Sequence, residues 1–134
     1  MGQNLALSTK DGHTLNGYAA EPPGTPKGGV IVIQEIFGVN NHVRNLVDMF
    51  AGHGYLAIGP ALFDRIKPGI ELGYNETDFA AAREHRGNLN DEWILNDVAA
   101  AADHVSAAGK VGLIGYCFGG YVAWISACGV DALA

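Results

Sequence analysis

Positive charge is scarce in this sequence. Eight Lys and Arg stand against 14 Asp and Glu in 134 residues, a net charge of −6. No basic run offers a footprint for nucleic acid, and an anionic membrane surface is disfavoured for the same reason. Long apolar runs are also missing: none approaches the roughly 20 residues that a membrane span needs. The opening MGQNLALSTKDG has neither a charged nor an apolar signal region, so a cytoplasmic location is expected. Cysteine is sparse. Only Cys117 and Cys128 occur, neither in a CxxC pair, which argues against a disulfide scaffold and a cysteine zinc site. No metal and no organic cofactor is implied. Disorder is excluded as well, because 49% of residues are apolar and only 16% charged.

What is present reads as one α/β domain. Leu5 to Ala20 forms a hairpin around Asp11-Gly12, and the Pro- and Gly-rich segment from Glu21 to Gly29 is a loop. Val30-Ile-Val-Ile33 lacks polar alternation, as expected of a parallel strand buried on both faces. Asn40 or Asn41 then caps a helix whose Val43, Leu46, Val47, Phe50 and Ala51 share one face, ended by Gly52 and Gly54. Tyr55 to Ile58 is a second short strand. Ala61 to Tyr74 is irregular and reads as a surface excursion.

Thr77 is a candidate cap for a short helix reaching Arg86. A longer helix starts near Asn90 and Asp91, carries Ile94, Val98, Ala101, Ala102 and Val105 on one stripe, and closes at Gly109. Val111 to Ile114 is a third buried strand, with a helix expected from about Tyr121 to Ala127. The class is α/β: a doubly wound, mostly parallel sheet with helices on both faces.

The chemistry concentrates where Gly115-Tyr116-Cys117-Phe118-Gly119-Gly120 follows a strand and precedes a helix. This is a G-x-C-x-G version of the nucleophile elbow. Gly115 and Gly119 let strand and helix pass without a side-chain clash. The turn points the Cys117 sulfur outward, above a helix N-terminus that favours negative charge, and the Phe118 N–H faces a developing oxyanion. The competing reading is a structural cysteine buried in a glycine-rich turn. Cys128 has no such context and reads as packing. Glu35 ends the central strand on the rim where such sheets place ligands, and a solvated carboxylate is its plainer reading. The Ile36 N–H would be the second oxyanion donor.

These residues carry a resemblance. Gln34-Glu35-Ile36-Phe37-Gly38-Val39-Asn40 and Gly115 to Gly120, with Asp11-Gly12-His13, Gly54-Tyr55, Gly59-Pro60 and Gly109 to Gly112 in order, resemble the dienelactone hydrolase family of the α/β-hydrolase superfamily. The resemblance covers nearly the whole chain. It implies Cys117 as the nucleophile of a Cys-His-Asp triad, Glu35 in contact with the thiol, and backbone groups of Ile36 and Phe118 as the oxyanion hole. The implied reaction is cleavage of a small lactone or carboxylic ester. The family's substrate-binding Arg and Tyr of the middle region fall here on Phe79 and Arg83, leaving Arg83 or Arg86 as weak candidates for that contact.

A larger departure lies after Cys117. In such hydrolases the acid and then the histidine follow the nucleophile, but here only Asp131 follows, and no histidine. His13, His42, His53, His85 and His104 all precede Cys117 and read as surface residues. Val130 to Ala134 looks like the start of another strand. Residues 1–134 are therefore read as the amino-terminal portion of a single α/β-hydrolase domain, truncated after the elbow helix. Alone, the chain is expected to be nearly inactive and to self-associate through an exposed sheet edge. The alternatives are a decayed module without turnover and a thiol redox sensor based on Cys117.

Overall fold

The computed structural model describes residues 1–134 as a five-stranded sheet with helices on both faces. β1 (Gln3–Ser8) and β2 (Thr14–Ala20) form the expected hairpin. β3 (Gly29–Ile33), β4 (Leu56–Pro60) and β5 (Val111–Gly115) supply the parallel part, in the sheet order β1-β2-β4-β3-β5. β2 meets β4 antiparallel, so the sheet is mixed, with its parallel pairings flanking β3. β3 is the most enclosed strand, with Ile31, Val32 and Ile33 all buried. This fits its unbroken β-branched run.

α1 (Asn41–Gly52) crosses one face between β3 and β4, burying Val43, Val47 and Ala51. Asn40 is its cap, accepting from the Val43 N–H at 3.3 Å. α2 (Glu76–Gly87) and α3 (Asp91–Val105) follow β4, and α3 covers the opposite face with Ile94, Val98, Ala101, Ala102 and Val105. α4 (Phe118–Gly129) packs beside α3. The chain thus leaves β3 toward β4 on one side and returns as β5 on the other. β3 is the switch point of the sheet, where such folds open a crevice beyond the strand carboxyl ends.

Four expectations are corrected. The segment after β4 is no surface excursion at its start: Leu62–Arg65 forms a 3-10 turn with Leu62, Phe63 and Asp64 buried. Its irregular hydropathy concealed an inward-facing turn too short to show a period. The α2 cap is Asn75, which accepts from Asp78 N–H at 2.8 Å, and not Thr77, which lies inside the helix. α4 begins at Phe118, three residues before Tyr121, with Gly119 in its first turn packed closely against the Ile33 and Gln34 carbonyls. Cys128 is exposed instead of packed. It lies four residues after Trp124, itself 77% exposed, on a face of α4 that no other element covers. No helix is long and apolar enough to cross a membrane.

Val130 to Ala134 returns to the start of β5. Leu133 makes a parallel bridge with Val111, and the Ala134 N–H donates to the Val111 carbonyl at 2.9 Å. The expected strand-like tail is therefore present as a first rung on the outer edge of β5.

Candidate functional site

The parallel register of β3 and β5 puts Ile33 directly opposite Gly115. The residues leaving the two strands, Gln34-Glu35-Ile36 and Tyr116-Cys117-Phe118, therefore emerge side by side at the crevice. Cys117 holds φ 57° and ψ −119°, and it is the one non-glycine residue with positive φ. Such a conformation costs on the order of 1–3 kcal/mol and persists only where its surroundings impose it. The surroundings here are two glycines. A Cβ on Gly115 would stand 2.1 Å from the Gly119 carbonyl oxygen, and one on Gly119 would stand 3.1 Å from the carbonyl oxygens of Ile33 and Gln34. Strand and helix touch backbone to backbone, and Cys117 takes up the reversal.

The Cys117 carbonyl accepts from the N–H groups of Gly120 and Tyr121, closing the first turn of α4. Its side chain makes no capping hydrogen bond and is exposed. The N–H groups of Ile36 and Phe118 donate in none of the hydrogen bonds outside the helices and sheet.

The structure brings Glu35 to the crevice but not onto the sulfur. Glu35 is 30% exposed at its side chain, and its Oε1 lies 4.0 Å from Nε2 of His42 in the first turn of α1. The expected Glu35–thiol contact is absent from the side-chain hydrogen bonds, because the carboxylate leans toward α1 instead of β5. The histidines are not uniformly on the surface either. His85 is half-buried against the Phe63 ring at 5.6 Å, and His13 has a buried Nε2 with no partner.

The two arginines separate cleanly. Arg83 is exposed and lies over Phe79 of its own helix, 4.7 Å from the ring. Arg86 is half-buried and reaches across to α4, 4.7 Å from the Phe118 ring and 5.1 Å from that of Tyr121. Its cation therefore stands beside the residue that follows Cys117. Tyr121 donates to both Asp91 oxygens, at 2.9 and 2.7 Å, and that acceptor lifts the phenol above its ordinary value.

Sequence reasoning missed two supporting groups. Gln34 is fully buried, accepting from the Leu62 N–H and donating to the Glu35 carbonyl, both at 3.0 Å. A polar residue straight after an all-apolar strand was the available signal. Arg65 binds Asp97 through Nε and one terminal nitrogen, and Asp11 through both terminal nitrogens. Burial lifts Asp97 above the usual carboxylate range, with Arg65 opposing it. Arg65 itself is raised: burial acts against its charge, but the two carboxylates outweigh that. No group of three or more His, Cys, Asp or Glu side chains converges to hold a metal ion.

Comparisons with known proteins address the family and the fold. The model of the dienelactone hydrolase family matches residues 15–134. A Synechocystis sp. protein assigned as a carboxymethylenebutenolidase is 40% identical over 84% of this chain and 48% of its own length. The carboxymethylenebutenolidase of Pseudomonas putida is 32% identical over 93% of this chain and 55% of its own. A crystal structure from Klebsiella pneumoniae, assigned as a dienelactone hydrolase, superposes with a TM-score of 0.77 at 34% identity, covering 99% of this chain and 57% of that one. The chain spans about half the length of the curated relatives it matches. With β3 and β5 ending side by side just before Glu35 and Cys117, and with these matches over nearly all its length, the chain belongs to the dienelactone hydrolase family.

Proposed function

We propose that the protein acts on a small lactone or carboxylic ester, with Cys117 as nucleophile. The observation that carries this reading is the strained backbone of Cys117 between β5 and α4, flanked by Gly115, where a Cβ would clash with backbone, and Gly119, where one would be tight. The sulfur attacks the ester carbonyl while the Ile36 and Phe118 N–H groups receive the charge developing on its oxygen. Glu35 supplies a carboxylate beside the residues leaving β5, the group this reading assigns to the thiol proton. Arg86 is the better placed of the two arginines to meet a negatively charged substrate group, because its guanidinium already stands at Phe118. Arg83, turned along α2, is the weaker candidate.

Release of the acyl group needs a general base. No histidine follows Cys117 in the sequence, and the ionic neighbour of Glu35 is His42 on α1. The reading therefore assigns the isolated chain acylation without efficient turnover. Incubation with p-nitrophenyl acetate tests this: a burst of nitrophenolate should precede little further release. Peptide mapping should find a thioester on Cys117, absent from Cys117→Ala. Acylation that survives Cys117→Ala overturns the assignment.

A further inference from the structure

The reading above places the Ile36 N–H in an oxyanion hole, and the structure shows what holds that N–H in place. The Ile36 nitrogen belongs to the same planar peptide as the Glu35 carbonyl, with the N–H and C=O pointing in opposite directions. The Gln34 Nε2 donates to that carbonyl at 3.0 Å, and its Oε1 accepts from the Leu62 N–H at 3.0 Å. These two partners fix which end of the amide is oxygen, since one is a donor and the other an acceptor. Gln34 has no exposed surface. Burying an amide is costly unless its groups are paired, so an apolar side chain would fill this space at less risk. What the amide adds is direction. Rotation of the Glu35–Ile36 peptide would break its hydrogen bond, and that bond also polarises the peptide, strengthening the N–H as a donor. The backbone oxygen of Gln34 meanwhile lines the close approach to Gly119, one residue past Phe118. Gln34 thus sits between the two backbone donors.

We propose that Gln34 is the positioning residue of the oxyanion hole, setting the direction and donor strength of the Ile36 N–H through the Glu35 carbonyl. This rests on the nucleophile reading of Cys117, and two reagents separate them. With p-nitrophenyl acetate the Cys117 sulfur forms a bond to the carbonyl carbon, and the carbon–oxygen bond to nitrophenolate breaks, through a tetrahedral oxyanion. With iodoacetamide the same sulfur displaces iodide and no oxyanion forms. In Gln34→Met, acylation of Cys117 should slow by about tenfold or more, within the range for a weakened oxyanion donor. Alkylation should stay within about twofold of wild type, because the thiol is untouched.

Gln34→Glu provides the second arm, and it carries the test if the methionine variant does not fold. Burial of its carboxyl favours the protonated form, which can donate, so this arm is read against pH: once ionised at alkaline pH, the carboxylate still accepts from Leu62 but cannot donate to the Glu35 carbonyl, and the ratio of acylation to alkylation should fall there. Protonation restores a donor, so that ratio should recover on acidification, which a merely space-filling role would not produce. A ratio unchanged in folded Gln34→Met, or in Gln34→Glu as its carboxyl ionises, overturns the inference, as does an equal loss of both reactions. If the wild-type chain is alkylated but never acylated at Cys117, the nucleophile reading fails first and the inference falls with it.

Discussion

The turn around Cys117 and the cluster around Arg65 both follow strands of the same sheet, yet they treat polar groups in opposite ways. Around Cys117 the sulfur is exposed without a hydrogen bond, two N–H groups stand free and the backbone is strained. Around Arg65 the guanidinium is only 7% exposed, Asp97 only 1%, and the nitrogens are shared between two carboxylates. The first arrangement leaves hydrogen-bonding capacity unmet at the ends of two strands. The second uses that capacity to join distant segments: the hairpin turn at Asp11, the turn after β4 and helix α3. The two are linked, because the Leu62–Arg65 turn is anchored by Arg65 at one end and donates to Gln34 at the other. A saturated cluster thereby supports an unsaturated one.

The largest effect should come from breaking the saturated side. Arg65→Met leaves Asp97 buried without its cation and also removes the guanidinium 5.7 Å from the Trp93 ring. Removal of one partner from a buried pair costs about 3–5 kcal/mol, to be read by urea unfolding at pH 7. The loss should shrink on acidification. Without Arg65, burial of Asp97 favours the protonated form, so the folded state binds the proton more tightly and stability falls as pH rises. A loss below about 1 kcal/mol, as for an exposed pair, would erase the contrast between the two regions.

Gly115→Ala should come next. Its Cβ would meet backbone at 2.1 Å, which no side-chain rotation relieves. Overpacking of this kind costs about 1–3 kcal/mol, and it should displace α4 enough to slow both acylation and alkylation of Cys117. Cys117→Gly should move stability the other way, because glycine adopts φ 57° without strain. A gain of about 1 kcal/mol in unfolding free energy, with acylation abolished, would show strain held for chemistry. A loss of stability would mean that the turn is not under strain.

Sequence legibility follows the same division. The features around Cys117 are local: glycines at fixed offsets within one strand–turn–helix unit, with a register set by two buried strands. Gly115, Cys117, Phe118, Glu35 and Ile36 could all be singled out from such spacing. The Arg65 cluster joins residues 32 and 54 positions apart, and no periodicity marks a contact of that range. Gln34 is intermediate. Its identity was visible at the end of an apolar strand, but its partner Leu62 lies 28 positions away in a turn whose pattern looked like surface. The lean of Glu35 toward His42 was likewise hidden, since a rotamer choice leaves no trace in spacing.

The smallest expected effect concerns Asp11, the exposed member of the saturated cluster, and it tests how far that cluster reaches. Arg65 and Thr9 hydrogen-bond its carboxylate and hold it well below the usual range. Its ordinary value is near 4. At pH values below that, the unfolded chain takes up a proton that the folded chain still refuses, so stability falls with acidification. The contribution is therefore fully present above about pH 4 and is lost progressively below it. Asp97 runs the opposite way. Burial raises its value, so it favours the folded state at low pH and partly offsets the loss. Asp11→Asn should be slightly less stable than wild type at pH 7 and should converge on it as the pH is lowered. The acid limb of stability against pH should be shallower in the variant. Urea midpoints measured from pH 7 down to about 2.5 check this, and parallel curves for the two proteins would place Asp11 outside the cluster's energetics, leaving Arg65 and Asp97 as its working pair.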